Sequence, residues 1–585
     1  MARKVFISVL GAGFYGECKY FRGEKDKTTG KYKFESNNTR FIQQATLEYL
    51  KVKEDWNEND AAYILVTERA KEVNWKKEID CFVTRDGKEL RPYQGLEKVI
   101  EDMHLPFTTK AIHIKDGINE TEIWEIFDEI VSKDKGIIQD DDELYFDLTH
   151  GFRYLPMLVL VLGNYTKFLR KTKKCSITYG NYEMKDKDGY APIIDILPLA
   201  TLQDWTFAVA DYLENGYAEQ LDMLSKESLN PILSNKSTET DIDAKVKAKQ
   251  VKDLIGSIKN VAQERQTCRG ISVIKSGKVA KLKENIHQSK HNLIKAFTPL
   301  IDKIDESLQT FDENENVHNT IAAAKWCFDK HQYQSATTFL EEGVVSFFCK
   351  RHNIKYEDET LRGLVTGAFT LKKNNGSFQD WQISESQIFP FLHILYDPML
   401  QDKDFVNKFY DFFHDVRNDY NHCGFRSKQK PLESKDIIKK IGEALSSIQQ
   451  KLDCSVPISF KEDEKPKLFL NLTNHPHLSW DKEQLDLSSK YGDIVDLAFP
   501  TIAPDDNPTA INAVVDKYTN IIKEQTDFFN VTVHVMGEMT FTYAIVSRLK
   551  ALGIKCLAST TERNTVITPD GKKLSDFKFV QFREY

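Results

Sequence analysis

The sequence lacks a long apolar run. Its longest candidate, Leu155–Leu162, is far shorter than the roughly 20 apolar residues of a membrane-spanning helix. The amino terminus also lacks the pattern of a signal peptide, because Met1–Val9 leads straight into a strand-like run. We therefore expect no membrane partner and a cytoplasmic location.

The sequence also lacks the cysteine spacings of disulfide frameworks and zinc sites. Its nine cysteines are scattered, without a Cys-x-x-Cys pair or a histidine at zinc spacing. An odd and dispersed set of this kind is typical of reduced cytosolic thiols. We therefore expect neither disulfides nor a metal site.

Positive charge is not in excess. The 80 Lys and Arg residues face 88 Asp and Glu residues, which gives a formal net charge of -8. This balance excludes a large non-specific nucleic-acid footprint, so any RNA binding should be confined to a local groove. With 585 residues, 29% of them charged and 41% hydrophobic, the chain is predicted to form two to four globular domains.

The first third of the chain alternates between strand and helix patterns. Strands are predicted at Lys4–Leu10, Ala62–Thr67, Ala111–Ile114 and Glu143–Asp147. A capped helix is predicted to begin at Asn38-Thr39-Arg40, after a polar insert, Gly23–Asn38, and another covers Glu120–Lys133. This alternation predicts a doubly wound parallel sheet, which binds its ligands outside the carboxyl ends of the strands.

Polar side chains follow the last of these strands. Thr149, His150 and Arg153 bring a hydroxyl, an imidazole and a guanidinium to a strand-to-helix turn, and Gly151 allows close approach of a backbone. The pattern favours a phosphate-binding site. The alternative is a capped helix start with an incidental histidine.

The segment Asp147-Leu-Thr-His-Gly-Phe-Arg153, the glycine-rich turn Gly11–Gly16, the pair Tyr179-Gly180 and the stretch 195–205 resemble a CARF domain. They resemble in particular the CARF domain of the CARF–HEPN ribonucleases of type III CRISPR systems. The resemblance covers residues 1–205 and implies a dimer that binds cyclic oligoadenylate, with cyclic tetra-adenylate as the expected ring. The polar insert is then either a lid over the ligand or a dimer contact.

Carried over by motif, the ring contacts implied by this resemblance are Ser8, Gly11, Gly13, Thr149, His150, Gly151 and Arg153. Thr67 and Glu68 are further candidates, from their position after the second strand.

From Trp205 the pattern becomes helical, and residues 206–455 are predicted to form a helical domain. A polar segment from Lys226 to Asp243 is predicted to be a loop. The predicted helices are Ala208–Leu224, Ala244–Ala262, Ala280–Phe311, Ile321–Lys330, Gln334–Gly343, Phe405–Phe413 and Ile437–Leu452.

Within this helical region, Arg417 and His422 lie five residues apart. A guanidinium donates two hydrogen bonds to phosphate oxygens, and an imidazole transfers protons near neutral pH. On a helix the two side chains project roughly 140° apart, so they can flank a phosphate from two sides. The alternative is an exposed helix end with a histidine that is favourable to the helix dipole.

The pair matches the R-x4-H signature of HEPN ribonucleases, including the asparagine directly after the arginine. The resemblance implies that Arg417, Asn418 and His422 are catalytic and that the protein is a homodimer or higher oligomer. It also implies metal-independent cleavage of single-stranded RNA by the substrate's own 2′-hydroxyl, with no cofactor. Glu341, Glu342 and His414 are interpreted as structural: ion pairs at the core edge and a helix-face histidine.

A charged linker, residues 456–466, precedes a second region of alternating strands and helices, 467–585. Its predicted strands are Leu468–Leu472, Asp493–Leu497, Val531–Met536 and Lys555–Ser559, its predicted helices are Ala510–Lys523 and one that ends at Leu552, and a hairpin over Thr565–Tyr585 turns at Pro569–Gly571. The pattern predicts a small Rossmann-like α/β domain.

Polar residues again gather after the strands. The candidates for ligand binding are Thr473, Asn474, Gly537, Thr540, Ser559, Thr560 and Thr561. His475 is a candidate for proton transfer, Arg563 for a phosphate clamp, and Glu538 for a general base or an acceptor from a 2′-hydroxyl. The alternative is a set of helix caps on a binding-only module.

The C-terminal region is similar to small CRISPR-associated Csx proteins regarded as ring nucleases, which degrade cyclic oligoadenylate. Together, the resemblances imply an α/β plus all-α protein of type III CRISPR antiviral defence. It would be an endoribonuclease that cyclic oligoadenylate activates and that degrades its own activator. Two alternatives stay open: a C-terminal domain that only binds a nucleotide, and a non-catalytic HEPN regulator or scaffold.

Overall fold

The computed structural model describes residues 2–80, 82–83, 89–90, 92–132, 136–150, 154–234, 242–290, 296–376, 381, 383–425, 430–452, 458, 460–567 and 573–585. Two of the predicted ring contacts, Gly151 and Arg153, and the predicted turn Pro569–Gly571 lie outside these ranges. The chain forms two compact units, Met1–Ala210 with Ile294–Phe297, and Asp211–Leu293 with Thr298–Tyr585. Within the described ranges, no helix is long and apolar enough to cross a membrane.

The N-terminal unit is built on a sheet in the order β3-β2-β12-β11-β10-β1-β4-β9. Its strands are β1 Lys4–Leu10, β2 Cys18–Lys25, β3 Tyr32–Thr39, β4 Ala61–Val66, β9 Thr108–His113, β10 Glu143–Asp147, β11 Lys173–Gly180 and β12 Tyr190–Asp195. Four short strands lie outside this sheet, namely β5 Glu78–Ile79, β6 Phe82–Val83, β7 Glu89–Leu90 and β8 Tyr93–Gln94. The central strands run parallel: β1 pairs with both β10 and β4, and β4 with β9. The predicted parallel sheet is therefore confirmed.

Helices cover both faces of this sheet. They are α1 Ile42–Tyr49, α2 Val52–Asp55, α3 Glu68–Ala70, α4 Leu96–Asp102, α5 Glu120–Val131, α6 Leu155–Arg170 and α7 Leu197–Asn215. Along β1, Val5 and Ile7 pack into one apolar cluster and Phe6 into the other. Because both faces are buried, the strand reads as a continuous apolar run, which is why the sequence predicted it well.

The polar insert Gly23–Asn38 is not a loop. It lies in the antiparallel hairpin of β2 and β3, which joins the sheet through the parallel pairing of β2 with β12. The helix predicted to begin in the stretch from Asn38 to Ala45 is present as α1, but it begins only at Ile42 and has no side-chain cap; the Thr39 hydroxyl instead accepts from the Phe41 amide at 3.0 Å. The sequence misled here because the hairpin strands are rich in charged residues, which are rare in strands.

Helices dominate the second unit from residue 219 to 451. They are α8 Glu219–Ser234, α9 Ile242–Gln266, α10 Gly270–Lys275, α11 Gly277–Ser289, α12 Thr298–Glu306, α13 His318–Asp329, α14 Tyr333–Arg351, α15 Glu359–Asn374, α16 Ile388–Leu395, α17 Pro398–Gln401, α18 Lys403–Asp411, α19 Asn418–Asn421 and α20 Ser434–Lys451. A π-helical turn, Phe412–Arg417, joins α18 to α19. Phe348, Phe369 and Phe405 lie in the core between these helices and contact one another edge to face or tilted.

Two helix predictions and one loop prediction in this region were wrong. The predicted helix Ala208–Leu224 is divided between α7 and α8, with Gly216 in the left-handed region at φ +77°. The polar segment predicted as a loop from Lys226 is helical as far as Ser234, although Pro231 lies inside it. The helix predicted over Ala280–Phe311 is likewise divided between α11 and α12.

The C-terminal region contains a small sheet in the order β14-β13-β15-β16-β17, as predicted. Its elements are β13 Lys467–Thr473, α21 Lys482–Ser488, β14 Asp493–Asp496, α22 Pro508–Gln525, β15 Asn530–Met536, α23 Met539–Ala551, β16 Lys555–Ile567 and β17 Lys573–Glu584. The first four strands are parallel and β17 is antiparallel to β16. The predicted strand Lys555–Ser559 and the start of the predicted hairpin form one long strand, β16.

The small sheet domain is docked on the helices of the same unit. The His393 Nε2 and Gln525 Oε1 atoms lie 2.9 Å apart, and the His393 ring stacks on Phe528 with centroids 4.1 Å apart. The Tyr396 hydroxyl donates to Asp493 at the start of β14. Specific polar and aromatic contacts thus join the two parts.

Candidate functional site

The carboxyl edge of the N-terminal sheet is organised around the buried carboxylate of Asp147. Ser8 Oγ donates to one carboxylate oxygen at 2.6 Å and Thr149 Oγ to the other at 2.5 Å. The Thr149 hydroxyl also accepts from the Gly180 amide at 2.7 Å, and Gln43 donates to Ser8 Oγ at 3.1 Å. Burial raises the pKa of Asp147, and the two hydroxyls partly oppose that rise. Two predicted ring contacts, Ser8 and Thr149, are thus joined by one carboxylate.

His150 lies at the same edge with an unused polar atom. Its ring stacks on Tyr15 with centroids 4.0 Å apart and an interplanar angle of 21°. Burial lowers the pKa of His150 to about 4, so the ring is neutral near pH 7. Its Nε2 atom is buried and has no hydrogen-bond partner among the described residues. An unpaired buried polar atom costs about 1–3 kcal/mol, so a bound ligand that pairs with Nε2 would recover that energy.

The glycine-rich turn is held by a side chain that no sequence motif identifies. Asn74 Nδ2 donates to the carbonyl oxygens of Gly11 and Gly13 at 2.8 and 2.7 Å. A Cβ atom on Gly11 would lie 2.5 Å from the Tyr15 hydroxyl, so a side chain there would displace the Tyr15 ring. Asn74 lies in a different element from the turn, and no motif links the two in the sequence.

Thr67 and Glu68 make local contacts. Thr67 Oγ caps the short helix α3 by accepting from the Ala70 amide at 3.3 Å. Glu68 forms a 3.2 Å ion pair with Nε2 of His113 at the end of β9. These contacts explain both residues without a ligand.

In the helical region, Arg417 is the last residue of the π-helical turn, a feature that is frequent at functional sites. Its guanidinium donates to Asn418 Oδ1 at 3.0 Å, pairs with Glu341 at 3.1 Å and lies over the Phe413 ring at 5.2 Å. His422 follows α19 and is exposed. The arginine is therefore fixed by three neighbours, whereas the imidazole faces solvent.

Glu341 contacts the candidate site directly. Burial raises the pKa of Glu341 to about 7, although the nearby Arg417 opposes the rise. Its neighbour Glu342 pairs with Arg362, and the His414 ring stacks on Tyr410. The ion pairs expected from the sequence are therefore present, but one of them holds the candidate catalytic arginine.

A cavity of about 970 Å³ lies beside the π-helical turn, between α13, α18 and α20. Phe412 and Val416 of the turn line it. Four lysines also line it, namely Lys325, Lys408, Lys439 and Lys440. Three of them have acidic partners four residues away on their own helices, so their excess positive charge is modest.

The C-terminal sheet carries a chain of hydrogen bonds across three neighbouring strands. Ser559 Oγ on β16 lies 2.8 Å from His534 Nε2 on β15, and His534 Nδ1 lies 2.9 Å from Asn471 Oδ1 on β13. Asn471 Nδ2 in turn donates to Asp496 at 2.7 Å and to the His475 carbonyl at 2.8 Å. Sequence patterns identified Ser559 and His475 as candidates but not the residues between them, Asn471 and His534.

His534 is only 3% exposed. Burial, with a smaller contribution from His475, lowers the pKa of His534 to about 4. His475 itself is exposed, while His477 forms a 2.8 Å ion pair with Asp496. The edge thus gathers three histidines, of which the buried one is neutral.

The other candidates of the C-terminal region have separate contacts. Glu538 caps α23 by accepting from the amides of Thr540 and Phe541, and these bonds lower the pKa of Glu538. Arg563 lies four residues beyond Ser559 on β16, about 13 Å along the strand, with its guanidinium over the Phe577 ring. These contacts do not connect Glu538 or Arg563 to Ser559.

The polar and glycine candidates at this edge differ in exposure. Thr473 is buried and its hydroxyl donates to Asn471 Oδ1 at 3.1 Å. A Cβ atom on Gly537 would meet the Phe499 ring. Thr560 Oγ donates to the Gln581 carbonyl at 3.2 Å, and Asn474 and Thr561 are exposed.

Two protein-family models match the chain. The model of the CARF domain of the CRISPR system endoribonuclease Csx1 matches residues 5–183, which contain the N-terminal sheet and its Asp147 edge. The model of the Uncharacterized protein MJ1673 family matches residues 467–583, the C-terminal sheet with its helices. The protein therefore carries an N-terminal CARF domain, and the resemblance seen around Thr149 and His150 is confirmed for that domain.

One relative is the CRISPR-associated protein MJ1674 of Methanocaldococcus jannaschii, which is 24% identical over 416 residues. The match covers 64% of this chain and 60% of that protein, which is less than two thirds of its length. The solved structure of Enterococcus italicus Csm6 bound to cyclic hexa-2′-fluoro-hexa-dAMP aligns with 78% of this chain and 95% of its own, at 10% identity. Its TM-score of 0.31 is too low to carry an argument. The chain is a CARF-containing relative of CRISPR-associated proteins.

Proposed function

We propose that the protein is a cyclic-oligoadenylate-activated endoribonuclease for single-stranded RNA that acts in type III CRISPR antiviral defence. In this proposal the CARF domain binds the ring, paired Arg417–His422 sites of a homodimer cleave RNA, and the C-terminal domain degrades the ring. The observation that carries the proposal is that a chain with the CARF domain of the Csx1 endoribonuclease over residues 5–183 also contains an R-x4-H pair.

The N-terminal edge supports binding of a phosphate-rich ring. His150 Nε2 has no hydrogen-bond partner among the described residues. At the same edge, Gly11 has no side chain, so a ligand can approach the backbone of the turn closely. The Asp147 carboxylate is covered by the hydroxyls of Ser8 and Thr149, which reduces its repulsion of phosphate. A neutral His150 donates from one ring nitrogen and accepts at the other, so it suits a nucleotide that has both kinds of group.

The helical site supports transesterification by the RNA's own 2′-hydroxyl. His422 is exposed and can take or give a proton, while Arg417 can stabilise the charge that builds on the phosphate oxygens. Asn418 and Glu341 hold the guanidinium in place. Arg417 is held by neighbours in its own protomer while His422 is exposed, so in this proposal a second protomer completes each site.

The neighbouring cavity supports a local path for RNA. In this proposal its four lysines contact the phosphates of an RNA strand held in the groove, the kind of local binding that an acidic protein would use. A single strand in this cavity would contact Phe412 and Val416, and Val416 directly precedes Arg417 in the chain.

The test is RNA cleavage by the purified protein with cyclic tetra- or hexa-adenylate. We expect cleavage only with a ring, and fragments that end in a 2′,3′-cyclic phosphate and a 5′-hydroxyl. His422→Ala should slow cleavage by about 10²–10⁴-fold, the usual contribution of a general acid or base. Arg417→Ala should slow it by about 10²–10³-fold, the usual contribution of a group that stabilises charge in the transition state. His414→Ala, in the same helical segment, is the matched control and should cleave like the wild type.

Two results would contradict this proposal. Wild-type protein that leaves RNA intact at saturating concentrations of every common ring would favour a regulatory or scaffold role. Cleavage that persists unchanged in His422→Ala would move the site elsewhere.

A further inference from the structure

The C-terminal sheet holds a serine and a histidine at hydrogen-bond distance, with an asparagine behind the histidine. The Ser559 Oγ to His534 Nε2 distance is 2.8 Å and the His534 Nδ1 to Asn471 Oδ1 distance is 2.9 Å. A nucleophile beside a base that a third group orients is the general arrangement of covalent hydrolysis. The strands β13, β15 and β16 place these residues on one face of the sheet. Asn471 pairs in register with His534, His534 pairs in register with Leu557 on β16, and Ser559 lies two residues beyond Leu557 on the same face.

The hydrogen bonds decide which nitrogen of His534 carries the proton. Asn471 Nδ2 donates to two pure acceptors, the Asp496 carboxylate and the His475 carbonyl, so the asparagine oxygen faces His534. That oxygen can only accept, so His534 Nδ1 must donate to it. In the neutral ring the Nε2 lone pair then points at Ser559 and accepts its hydroxyl proton.

The surroundings exclude water from the histidine but leave the serine reachable. The rings of Phe469, Trp480 and Phe582 lie 5.2–6.1 Å from the His534 ring, measured between centroids. Ser559 is only partly buried. Its amide donates at 3.3 Å to the Met536 sulfur, a weak acceptor, which a phosphate oxygen can replace.

We propose that Ser559, His534 and Asn471 form a nucleophilic phosphodiesterase centre, in which Ser559 attacks phosphorus, His534 moves the protons and Asn471 positions His534. The identity of the substrate, a cyclic adenylate, rests on the proposed ring degradation, whereas the nucleophilic centre itself does not. It differs from the RNA site of the helical region, where the substrate's own 2′-hydroxyl attacks.

The reaction has two balanced steps. Ser559 Oγ gives its proton to His534 Nε2 and bonds to phosphorus, while the bond from phosphorus to one sugar oxygen breaks and that oxygen takes the proton from His534. Water then attacks the phosphoserine with His534 as base, the Oγ–phosphorus bond breaks, and Ser559 recovers its proton. One water is consumed for each diester cut, and the product is linear with a terminal phosphomonoester.

A purely structural role for the same residues makes a different prediction. A closed polar network would stabilise the sheet and leave Ser559 no more reactive than other serines. The reactivity of Ser559 toward a phosphorus electrophile therefore distinguishes a catalytic role of these residues from a purely structural one.

The experiment treats the full-length protein with a fluorophosphonate probe and locates the adduct by peptide mass spectrometry. We expect the adduct on Ser559 in the wild type and its loss in Ser559→Ala. His534→Gln should slow labelling by about 10²-fold or more, since it removes the base. Ser489→Ala is the matched control, because Ser489 is an exposed serine of the same domain whose hydroxyl donates to the Asp486 carbonyl. In this variant Ser559 should be labelled as fast as in the wild type.

Failure to label Ser559, at probe concentrations that label a reference serine hydrolase, would overturn the inference. A second arm follows cyclic tetra-adenylate with His422→Ala protein, which lacks the proposed RNA site. Linear products with a phosphomonoester that carries ¹⁸O from labelled water support the serine step. Products with a 2′,3′-cyclic phosphate that Ser559→Ala still forms would overturn it. If the probe labels Ser559 but the cyclic tetra-adenylate stays uncut, the proposed ring degradation is contradicted. The nucleophilic centre is then supported, and its substrate is a different phosphodiester.

Discussion

The two sheets of this protein end in polar networks of opposite kinds. At the N-terminal edge, the hydroxyls of Ser8 and Thr149 both donate to the Asp147 carboxylate. At the C-terminal edge, the Ser559 hydroxyl faces the lone pair of His534. At the N-terminal edge both hydroxyls are held by one buried carboxylate, whereas the Ser559 hydroxyl lies beside a single imidazole nitrogen that can take up and return its proton. The same strand ends therefore suit binding in one sheet and catalysis in the other.

The buried histidines of the two edges differ in the same way. Burial lowers the pKa of both His150 and His534 to about 4. Both nitrogens of His534 are within hydrogen-bond distance of protein atoms, whereas Nε2 of His150 has no described partner. A neutral ring with a spare nitrogen is available to a ligand, and a neutral ring bonded on both sides is committed to its serine.

The largest effect should come from removing the C-terminal hydroxyl. Ser559→Ala is expected to slow ring turnover by about 10²–10⁴-fold and to leave RNA cleavage at saturating ring unchanged. Chromatography of ring and linear products, beside an RNA assay on the same sample, measures both. If Ser559→Ala lowered RNA cleavage at saturating ring as much as ring turnover, the two edges would not have separate roles.

His150→Ala should weaken activation without changing the maximum rate of RNA cleavage. Losing a hydrogen bond to a charged phosphate costs about 1.5–3 kcal/mol, or roughly 10–150-fold in the ring concentration for half-maximal cleavage. The measurement is a ring titration of RNA cleavage. His104→Asn is the control, because His104 is exposed at φ +50°, a conformation that asparagine tolerates. An unchanged midpoint in His150→Ala would remove His150 from the binding site.

Thr149→Val should lower the free energy of unfolding. It leaves the Gly180 amide and one Asp147 oxygen without their hydroxyl partner, which costs about 1–3 kcal/mol. Urea unfolding followed by circular dichroism tests this. Thr560→Val, whose hydroxyl only donates to the Gln581 carbonyl at the partly exposed C-terminal edge, should cost less. An equal or larger loss in Thr560→Val would contradict the central position of Thr149.

The smallest effect concerns a buried acid outside both sheets. Burial raises the pKa of Glu341 to about 7, so the folded state binds the proton more tightly than the unfolded chain. Its contribution to stability is therefore full below the unfolded pKa and is lost as pH rises through 7. From pH 6 to pH 8 the wild type should lose about 1 kcal/mol relative to Glu341→Gln. Parallel denaturation curves at the two pH values measure the difference, and equal losses in both proteins would refute it.

Sequence patterns predicted β1, β4, β9 and β10 of the first sheet and the strands of the second, most of which contain a continuous apolar run, as in Leu468–Leu470. They missed β11 and β12. They did not predict the β2–β3 hairpin, whose alternating charged residues look like a surface loop. Short motifs also found Thr149 and His150, which stand together at one strand end.

His534 could not be predicted as a site residue from the same patterns. It lies inside a buried strand, where a histidine is read as core, and its partners Asn471 and Ser559 are 63 and 25 residues away. Only the register of β13 with β15, and of β15 with β16, brings the three together. No spacing rule for motifs describes such a set.

The most direct test of the account is a time course of RNA cleavage at limiting cyclic tetra-adenylate, with cyclic hexa-adenylate in parallel. The wild type should show a burst that stops as the ring is consumed, and Ser559→Ala should continue until the RNA is exhausted. RNA that stays intact with either ring, or a burst that stops at the same time in both proteins, would contradict the account.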